Sequence, residues 1–527
     1  MRTIARIAQG LVCLAIAGGF ATAAVAETPK RGGVLRHVIE GEPTNFDCHA
    51  AATSFALQVL APHYSTLLKY DTDDYSKIVG DLADSWTVSP DRLTYTFKMK
   101  PGVKFHDGSE LSSADIKATF DRLRNPPQGV TSARRGQFSS IDSIETPSAD
   151  TVVFKLKHVN PAALYMFANP WNCVYSAKKL EADQKFYETN VMGTGPFVFE
   201  EYAKGSHWSA KRFDNYFQKG KPYLDGIRGF FINGPGVINA LAGGQVDALL
   251  FMVAPPDRAR LKNLRGDAVA FHENSFNITN FLTVNVKKPP FNDPRVRKAL
   301  SLAIDRQGGI PSLSKLATLE FPTVFVPPAS PVAYSKEEME KLPGFGSNDI
   351  AKRQEEAKKL LAEAGVPKLK LTLLNRNVRL PWQPLGIFIM DQWRQIGIEV
   401  DQIPAETPPY FAALTSGNYD VAIDFNNTVS VDPNEVLVKF IPGSPNNYSG
   451  AEDKELVDLF NKQADIQDPA ERKKVVREFL ERLMDQGYNI PLFGNNRATA
   501  AVKELKGWKL APTTVLNLDM SEVWFDR

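Results

Sequence analysis

The sequence predicts an α/β protein with two or three lobes, and two observations lead to this fold class. The chain has 527 residues, which is too many for a single hydrophobic core. Strand and helix patterns alternate between Leu369 and Asp424, an order typical of βαβ units around a largely parallel sheet. Within this region, Leu369–Leu374 and Gly397–Ile403 have strand patterns, and Leu385–Ile396 between them has a helix pattern.

The first residues have the features of a secretory signal peptide, which we place at 1–26. Two arginines precede an apolar run from Ile7 to Ala21, and Ala24-Val25-Ala26 matches the small-x-small rule for cleavage. The run is too short for a membrane anchor, and the residues around Cys13 do not form a convincing lipid-attachment signal. We therefore expect a periplasmic protein that starts near Glu27 and carries no lipid anchor. A buried N-terminal helix is the alternative.

The charge balance of the mature chain gives no sign of two classes of partner, nucleic acids and anionic membranes. Removal of the signal peptide takes two of the 62 basic residues, so that 60 basic residues balance 60 acidic ones. A neutral chain gives no indication of binding to nucleic acid or to an anionic membrane surface. No later stretch has the length and hydrophobicity of a membrane-spanning helix.

The residues from Leu82 to Leu123 predict a strand pair that leads into a capped helix. Polar and hydrophobic residues alternate along Thr94–Pro101, a period of two that suits a strand with unlike faces. Two glycine-containing turn signals follow. Ser112 or Ser113 can then cap a helix that runs from about Ala114.

The order of residues in this stretch resembles the signature of the family 5 solute-binding proteins of ABC importers, the peptide, nickel and opine group. The letters LADSWTVSPDRLTYTFKMKPGVKFHDG keep nearly every element of that signature. Two later segments resemble further landmarks of the family, namely GTGPF at 193–197 and NFLTVNVKKPPFNDPRVRKALSLAIDR at 280–306. The resemblance covers essentially the whole mature chain. It implies a two-lobed periplasmic clamshell of type II with an additional third domain.

The resemblance also implies how the chain is divided among these units. The additional domain would occupy 48–175 and the second lobe 279–494. The first lobe would be assembled from three separate pieces, near 27–47, 176–278 and 495–527.

Two cysteines remain in the mature chain, Cys48 and Cys173. The oxidising periplasm makes a disulfide between them the first interpretation, and two unrelated buried thiols are the alternative. In the family plan, the chain leaves the first lobe near residue 48 and returns near residue 175. The resemblance therefore implies that the two cysteines meet at the base of the additional domain.

The sequence contains no recognisable catalytic constellation. It lacks Gly-x-Ser-x-Gly, His-Glu-x-x-His, Walker A and Cys-x-x-Cys motifs, and its seven histidines are scattered. Asp71, Asp73 and Asp74 resemble a calcium loop, but the required glycine and glutamate are missing. We therefore expect a protein that is not an enzyme and uses no metal or cofactor. A secreted hydrolase or a periplasmic chaperone is the rival of a different class.

The segment Tyr419–Pro433 predicts one part of the ligand site. Peptide-binding members of the family carry YD-x-A-x-x-GW-x-x-DY-x-DP here, and the acid of the DY pair holds the free amine of the peptide. This chain has Val429 at the position of that acid, and an ammonium buried without a carboxylate is costly. Asp424 could supply a charge from another position. Asn426 and Asn427 are predicted as neutral polar contacts.

A second part of the site is predicted in the loop before the helix Leu385–Ile396. Dipeptide-binding relatives carry a carboxylate-binding arginine in this loop. Counting back from Trp393 places Arg376 at that position, with Arg379 as a nearby substitute. Both arginines could instead be solvated. Trp382 could stack on a ring of the solute or cover an apolar part of it.

Four further residues are predicted to line the crevice, although a structural role suits each of them equally well: Trp171, Asn172, Asn45 and Tyr448. Together these features predict a monomeric receptor that closes on a small solute and then docks on inner-membrane ABC permease subunits. The solute is expected to be an acidic, opine-like or aromatic compound rather than an ordinary peptide. A receptor for oligopeptides or for a nickel chelate is the alternative.

Overall fold

The computed structural model describes residues 28–51, 53–346, 349–378 and 380–527. The predicted signal peptide and Arg379 lie outside these ranges. Within them, no helix combines the length and the hydrophobicity needed to cross a bilayer.

The strands fall into one large sheet, a four-stranded sheet and two short pairs. They are β1 Val34–Ile39, β2 Leu68–Tyr70, β3 Ile78–Gly80, β4 Ala83–Val88, β5 Thr94–Met99, β6 Ile141–Ser148, β7 Thr151–Leu156, β8 Phe197–Ala203, β9 His207–Arg212, β10 Gly226–Phe231, β11 Ala248–Leu249, β12 Val269–Val284, β13 Leu319–Pro322, β14 Lys370–Arg376, β15 Glu399–Ala405, β16 Val421–Asn427, β17 Asn489–Val502, β18 Leu505–Lys506 and β19 Trp524–Phe525.

The helices pack on the faces of these sheets. They are α1 Ser54–Leu60, α2 Ser113–Arg124, α3 Ala163–Phe167, α4 Ala177–Ala182, α5 Phe186–Thr189, α6 Gly236–Ala242, α7 Pro255–Arg265, α8 Pro294–Leu302, α9 Arg306–Leu316, α10 Lys336–Met339, α11 Ile350–Glu363, α12 Trp382–Arg394, α13 Thr407–Ser416, α14 Asn434–Leu437, α15 Lys454–Asp465 and α16 Pro469–Asp485.

The large sheet is continuous across two lobes. Its strand order is β15-β14-β16-β12-β17-β11-β1-β10-β9-β8, and β13 pairs with β17 beside this path. We call the part with β1 and β8–β11 the first lobe, and the part with β13–β16 the second lobe. The long strands β12 and β17 pair along most of their length and belong to both. The register of this pairing shifts at Phe276–Phe281, where the sheet passes from one lobe to the other.

The second lobe contains the predicted βαβ unit. Strand β14 pairs in parallel with β15 and with β16, as the alternation of strand and helix patterns predicts. Helices α8 and α12 cover this sheet, and Trp393 of α12 donates its indole N–H to the carbonyl of Leu300 in α8 at 2.9 Å. The α/β fold class is confirmed, with antiparallel pairing of β12 to β16 in addition to the parallel pairs.

The additional domain is built on the antiparallel sheet β4-β5-β7-β6 and on α2. Tyr95, Phe97 and Met99 of β5 are buried, as their alternation predicts. Ser112 is the N-cap of α2, and its backbone N–H donates to the Asp115 carboxylate at 2.7 Å. The predicted capped helix therefore lies against a sheet of aromatic side chains.

The base of the additional domain contains a disulfide and a buried ion pair. The sulfurs of Cys48 and Cys173 are bonded, and the two Cα atoms lie 6.1 Å apart. Next to this bond, Arg122 forms an ion pair with Asp47 at 2.6 Å and donates to Nδ1 of His49 at 2.8 Å. The disulfide thus joins the two chain crossings at this base, and the ion pair joins the first crossing to α2.

Helix α1, which follows residue 48, packs into a hydrophobic core of the first lobe. Ala56, Leu57 and Val59 of α1 are buried in the same cluster as Trp208 of the first lobe. The turn GTGPF also packs on this junction, because a side chain on Gly193 or Gly195 would overlap the backbone of residue 63. Glycine in this family landmark therefore serves close packing rather than phosphate binding.

Candidate functional site

The predicted site residues of the second lobe gather where two parallel strands end. Arg376 is the last residue of β14, and Asn426 and Asn427 end β16. Asn426 lies opposite Thr279 of β12, next to the shift in register between the lobes. Ligands of α/β proteins bind outside the carboxyl ends of parallel strands, at such a change in topology. These residues therefore lie where a ligand crevice between the lobes is expected.

The guanidinium of Arg376 lies among aromatic rings. Its Cζ is 4.4 Å from the ring centre of Trp382 and 5.4 Å from that of Phe425, and the rings of Tyr410 and Phe411 are within 6.0 Å. Burial lowers the pKa of Arg376 below its ordinary value. Stacked aromatic faces stabilise a cation and hold its plane in a fixed orientation. The structure thus brings two predicted residues, Arg376 and Trp382, into one cationic aromatic cluster.

Asp424 already has a cationic partner. Its carboxylate is 2.9 Å from Nζ of Lys439, and it accepts hydrogen bonds from the Thr283 hydroxyl at 3.1 Å and from the backbone N–H of Phe425 at 2.7 Å. Its side chain is only 2% exposed. Asp424 therefore balances a charge inside the second lobe.

The remaining predicted residues of this lobe have different surroundings. Asn426 is buried, and its amide donates to the carbonyl of Phe325 at 3.0 Å, whereas Asn427 is exposed. Tyr448 packs beside Lys439 and donates its hydroxyl to Asn446 at 3.0 Å. Burial, with a further contribution from the charge of Asp424, raises the pKa of Tyr448 to about 12. Tyr448 packs in one hydrophobic cluster with Tyr410 and Phe411, two of the rings around Arg376, so the structure brings it to the edge of the cationic aromatic cluster.

The loop after β16 contacts both the first lobe and the additional domain. Val429 packs against the cores of both the first lobe and the additional domain. Burial raises the pKa of Tyr70 in the additional domain, and the side chain of the next residue, Ser430, lies close enough to the Tyr70 hydroxyl to lower this pKa in part. The position that carries an acid in peptide-binding members is therefore an apolar interlobe contact in this protein.

Two charged residues of the crevice were missed by the sequence analysis. Arg134 of the additional domain places its guanidinium 4.0 Å from the ring centre of Trp171. Glu435, at the start of α14 in the second lobe, accepts hydrogen bonds from the backbone N–H groups of Val429 and Ser430 at 3.3 and 2.9 Å. Their charges interact across the crevice. No local sequence pattern marks either residue, because their proximity depends on the packing of separate units.

Three other residues predicted to line the crevice have side chains that already contact other residues of the protein: Trp171, Asn172 and Asn45. Trp171 is buried in the core of the first lobe beneath Arg134. Asn172 is buried and donates to the carbonyl of Met166 at 2.8 Å, and Asn45 accepts the backbone N–H of Asp47 at 3.1 Å. Of these three, Trp171 is the residue with a direct contact to a charged group of the crevice.

Among the residues that the structure describes, no group of three or more His, Cys, Asp or Glu side chains is arranged to hold a metal ion. Asp71 and Asp74 instead accept hydrogen bonds from nearby backbone N–H groups, as residues of a turn do.

Comparisons with known proteins agree with this architecture. The family model described as bacterial extracellular solute-binding proteins, family 5 Middle, matches residues 77–448. A glutathione-binding protein, GsiB, of Salmonella paratyphi A is 28% identical over 510 residues, which cover 91% of this chain and 92% of that protein. GsiB of Pectobacterium atrosepticum is 30% identical over 377 residues, 71% of this chain and 69% of that protein.

A solved structure shows the same fold. The PBP AgaA in complex with agropinic acid, from A.tumefacien R10, superimposes with a TM-score of 0.80 and 27% sequence identity, over 94% of this chain and 99% of that chain. The shared architecture and the family match confirm the resemblance derived from the signature stretch. This chain therefore belongs to family 5 of the bacterial extracellular solute-binding proteins.

Proposed function

We propose that the protein captures an acid-bearing solute in the periplasm by closing its crevice, and that it delivers this solute to the permease subunits of an ABC importer. Members of the family are solute-binding proteins of ABC importers, and the relatives found are binding proteins rather than enzymes. In this proposal the protein acts as a monomer and turns over no substrate. Lobe closure around the solute is the mechanism.

The cationic aromatic cluster around Arg376 carries the proposal. A guanidinium presents a planar fork of N–H donors that matches both oxygens of a carboxylate. The rings of Trp382 and Phe425 shield this group from water, which strengthens its attraction to a bound anion. They also offer flat apolar surfaces to the part of the solute next to its acid.

Two features disfavour an ordinary peptide as the solute. The amine of a peptide requires a carboxylate, and Val429 offers none at the expected position. Asp424, the substitute considered from the sequence, is engaged by Lys439. Agropinic acid, the ligand named for AgaA, is a carboxylic acid without a free amine, which supports an acidic solute that is not an ordinary peptide.

A thermal-shift screen followed by calorimetry tests the proposal. The screen compares peptides, opines, sugars and aromatic acids. Acids should raise the melting temperature, since a ligand that binds the native state stabilises it. Unmodified α-linked di- and tripeptides should bind weakly or not at all. Submicromolar binding of an α-linked tripeptide would contradict the proposal, as would conversion of any compound to a product.

A matched pair of variants assigns the acid to Arg376. Arg376→Met should weaken the binding of each acid by tenfold or more, because it removes a charge-assisted pair of hydrogen bonds. Arg394→Met changes an exposed arginine of the neighbouring helix and should leave affinity unchanged. Equal affinities for the two variants would exclude Arg376 from the site.

Closure of the crevice can be measured separately. Small-angle scattering should show a smaller radius of gyration with saturating acid and an unchanged molecular mass. An unchanged radius of gyration at saturation would rule out the closing mechanism.

A further inference from the structure

Arg134 is held in one orientation at the edge of the crevice. Its guanidinium stacks on Trp171 at 4.0 Å, and its Nη2 donates to the carbonyl of Ala51 at 2.9 Å. Both partners belong to elements other than its own loop. A side chain fixed by a ring and by a backbone acceptor loses little freedom when it binds a ligand.

The second terminal nitrogen of this guanidinium is not satisfied. Nη1 of Arg134 is buried and makes no hydrogen bond to any residue that the structure describes. Burial lowers the pKa of Arg134 to about 9, so the group is still charged at neutral pH. A buried donor without an acceptor is costly, and the cost is greater for a charged group.

The carboxylate that faces Arg134 does not satisfy it. Glu435 accepts the backbone N–H groups of Val429 and Ser430, and its oxygens form no ion pair with Arg134 within 4.0 Å in the described residues. Burial raises the pKa of Glu435 to about 7, with a further contribution from Asp432. Its negative charge is therefore incomplete at neutral pH. Asp432 itself pairs with Arg472 at 2.8 Å.

We propose that Arg134 binds a second anionic or carbonyl oxygen group of the solute, at the opposite wall of the crevice from Arg376. The inference rests on the proposed function and narrows it to solutes with oxygen acceptors at two separated positions, such as dicarboxylic acids. Trp171 serves as the platform that positions the guanidinium. Val429 opposite it provides apolar contact and no competing charge.

Calorimetry with three dicarboxylic probes tests this subsite: glutathione, mannopinic acid and octopine, each compared with its two monoamides, in which one or the other carboxylate is a carboxamide. Arg134→Met keeps an unbranched apolar side chain at this position but removes the guanidinium and its N–H donors. It should raise the Kd of each acid that the wild-type protein binds by about tenfold or more. It should also reduce the wild-type preference for the acid over one of its monoamides.

Two further variants make the result specific. Arg135→Met alters the exposed neighbouring arginine and should leave every Kd unchanged. Arg134→Lys keeps the charge and should restore part of the affinity. Thermal unfolding of each variant shows whether the protein is folded before its affinity is compared.

The outcomes separate this inference from the proposed function. If Arg376→Met abolishes binding and folded Arg134→Met binds as tightly as wild type, the second subsite is refuted and the proposed function stands. If Arg134→Met loses affinity equally for the acid and both monoamides, the role in recognising an acid is refuted. If none of the three acids binds the wild-type protein, the acidic-solute proposal and the subsite both fail.

Discussion

Replacement of Lys439 by methionine should strongly destabilise the second lobe. The variant leaves the Asp424 carboxylate buried with two hydrogen-bond donors, the Thr283 hydroxyl and the Phe425 N–H, and no counter-charge. Removal of one partner of a buried ion pair costs about 3–5 kcal/mol, because the remaining charge is desolvated and uncompensated. We expect a loss of this size in the free energy of unfolding.

Equilibrium urea unfolding followed by tryptophan fluorescence measures this loss. Lys287→Met is the matched control, since Lys287 pairs with Glu452 at 3.8 Å and both side chains are more than 60% exposed. That variant should change the free energy of unfolding by less than about 0.5 kcal/mol. Adding Asp424→Asn to Lys439→Met should recover most of the loss, because the unpaired charge is removed. If Lys439→Met costs less than about 1 kcal/mol, the reasoning about a buried pair is refuted.

Three further predictions concern stability and specificity. Replacement of Cys48 and Cys173 by alanine should lower the free energy of unfolding by up to about 4–5 kcal/mol, measured against the oxidised wild-type protein, because the bond closes a long loop. Equal stability of the oxidised protein and the variant would contradict this. Burial lowers the pKa of His49 to about 4 and that of His63 to about 3. Below pH 6.5 the unfolded chain therefore binds more protons than the folded protein. The free energy of unfolding should be fully retained above pH 6.5 and should fall toward pH 4 by about 1.4 kcal/mol per pH unit for each histidine. Urea midpoints that stay constant over this range would contradict the assignment of neutral buried rings. Val429→Asp should weaken acid binding by tenfold or more in calorimetry, since it adds a negative charge opposite Arg134; unchanged affinity would place Val429 away from the solute.

The sequence predicts contiguous parts of the site well. Arg376 and Trp382 lie six residues apart along a strand and the helix that follows it, so counting along one motif is enough to place them together. Asp424 shows the limit of such counting. Its pairing with Lys439, which follows β16, depends on how the chain folds back, and no spacing rule specifies it.

Contacts between separate units are the part that sequence patterns do not reveal. Arg134 and Glu435 lie 301 residues apart along the chain, and no recognisable motif surrounds either of them. The electrostatic interaction between these two residues arises because the additional domain and the second lobe lie close together in the folded protein. The alternation that predicts β14 and β15 is local, whereas the antiparallel pairing of β12 with β16 and β17 is set by the assembled sheet.

The sharing of β12 and β17 between the lobes has a consequence for how the protein matures. Strand β12 ends at Val284, and its partner β17 begins only at Asn489, near the end of the chain. A chain synthesised from its N-terminus cannot complete its central sheet until almost all of it has been made. Until then β12 has an unpaired edge, the kind of surface on which chains aggregate. Pairing across such a long loop is also slow. The yield of folded protein should therefore depend on chaperones that cover this edge until β17 is available, rather than on the stability of either lobe.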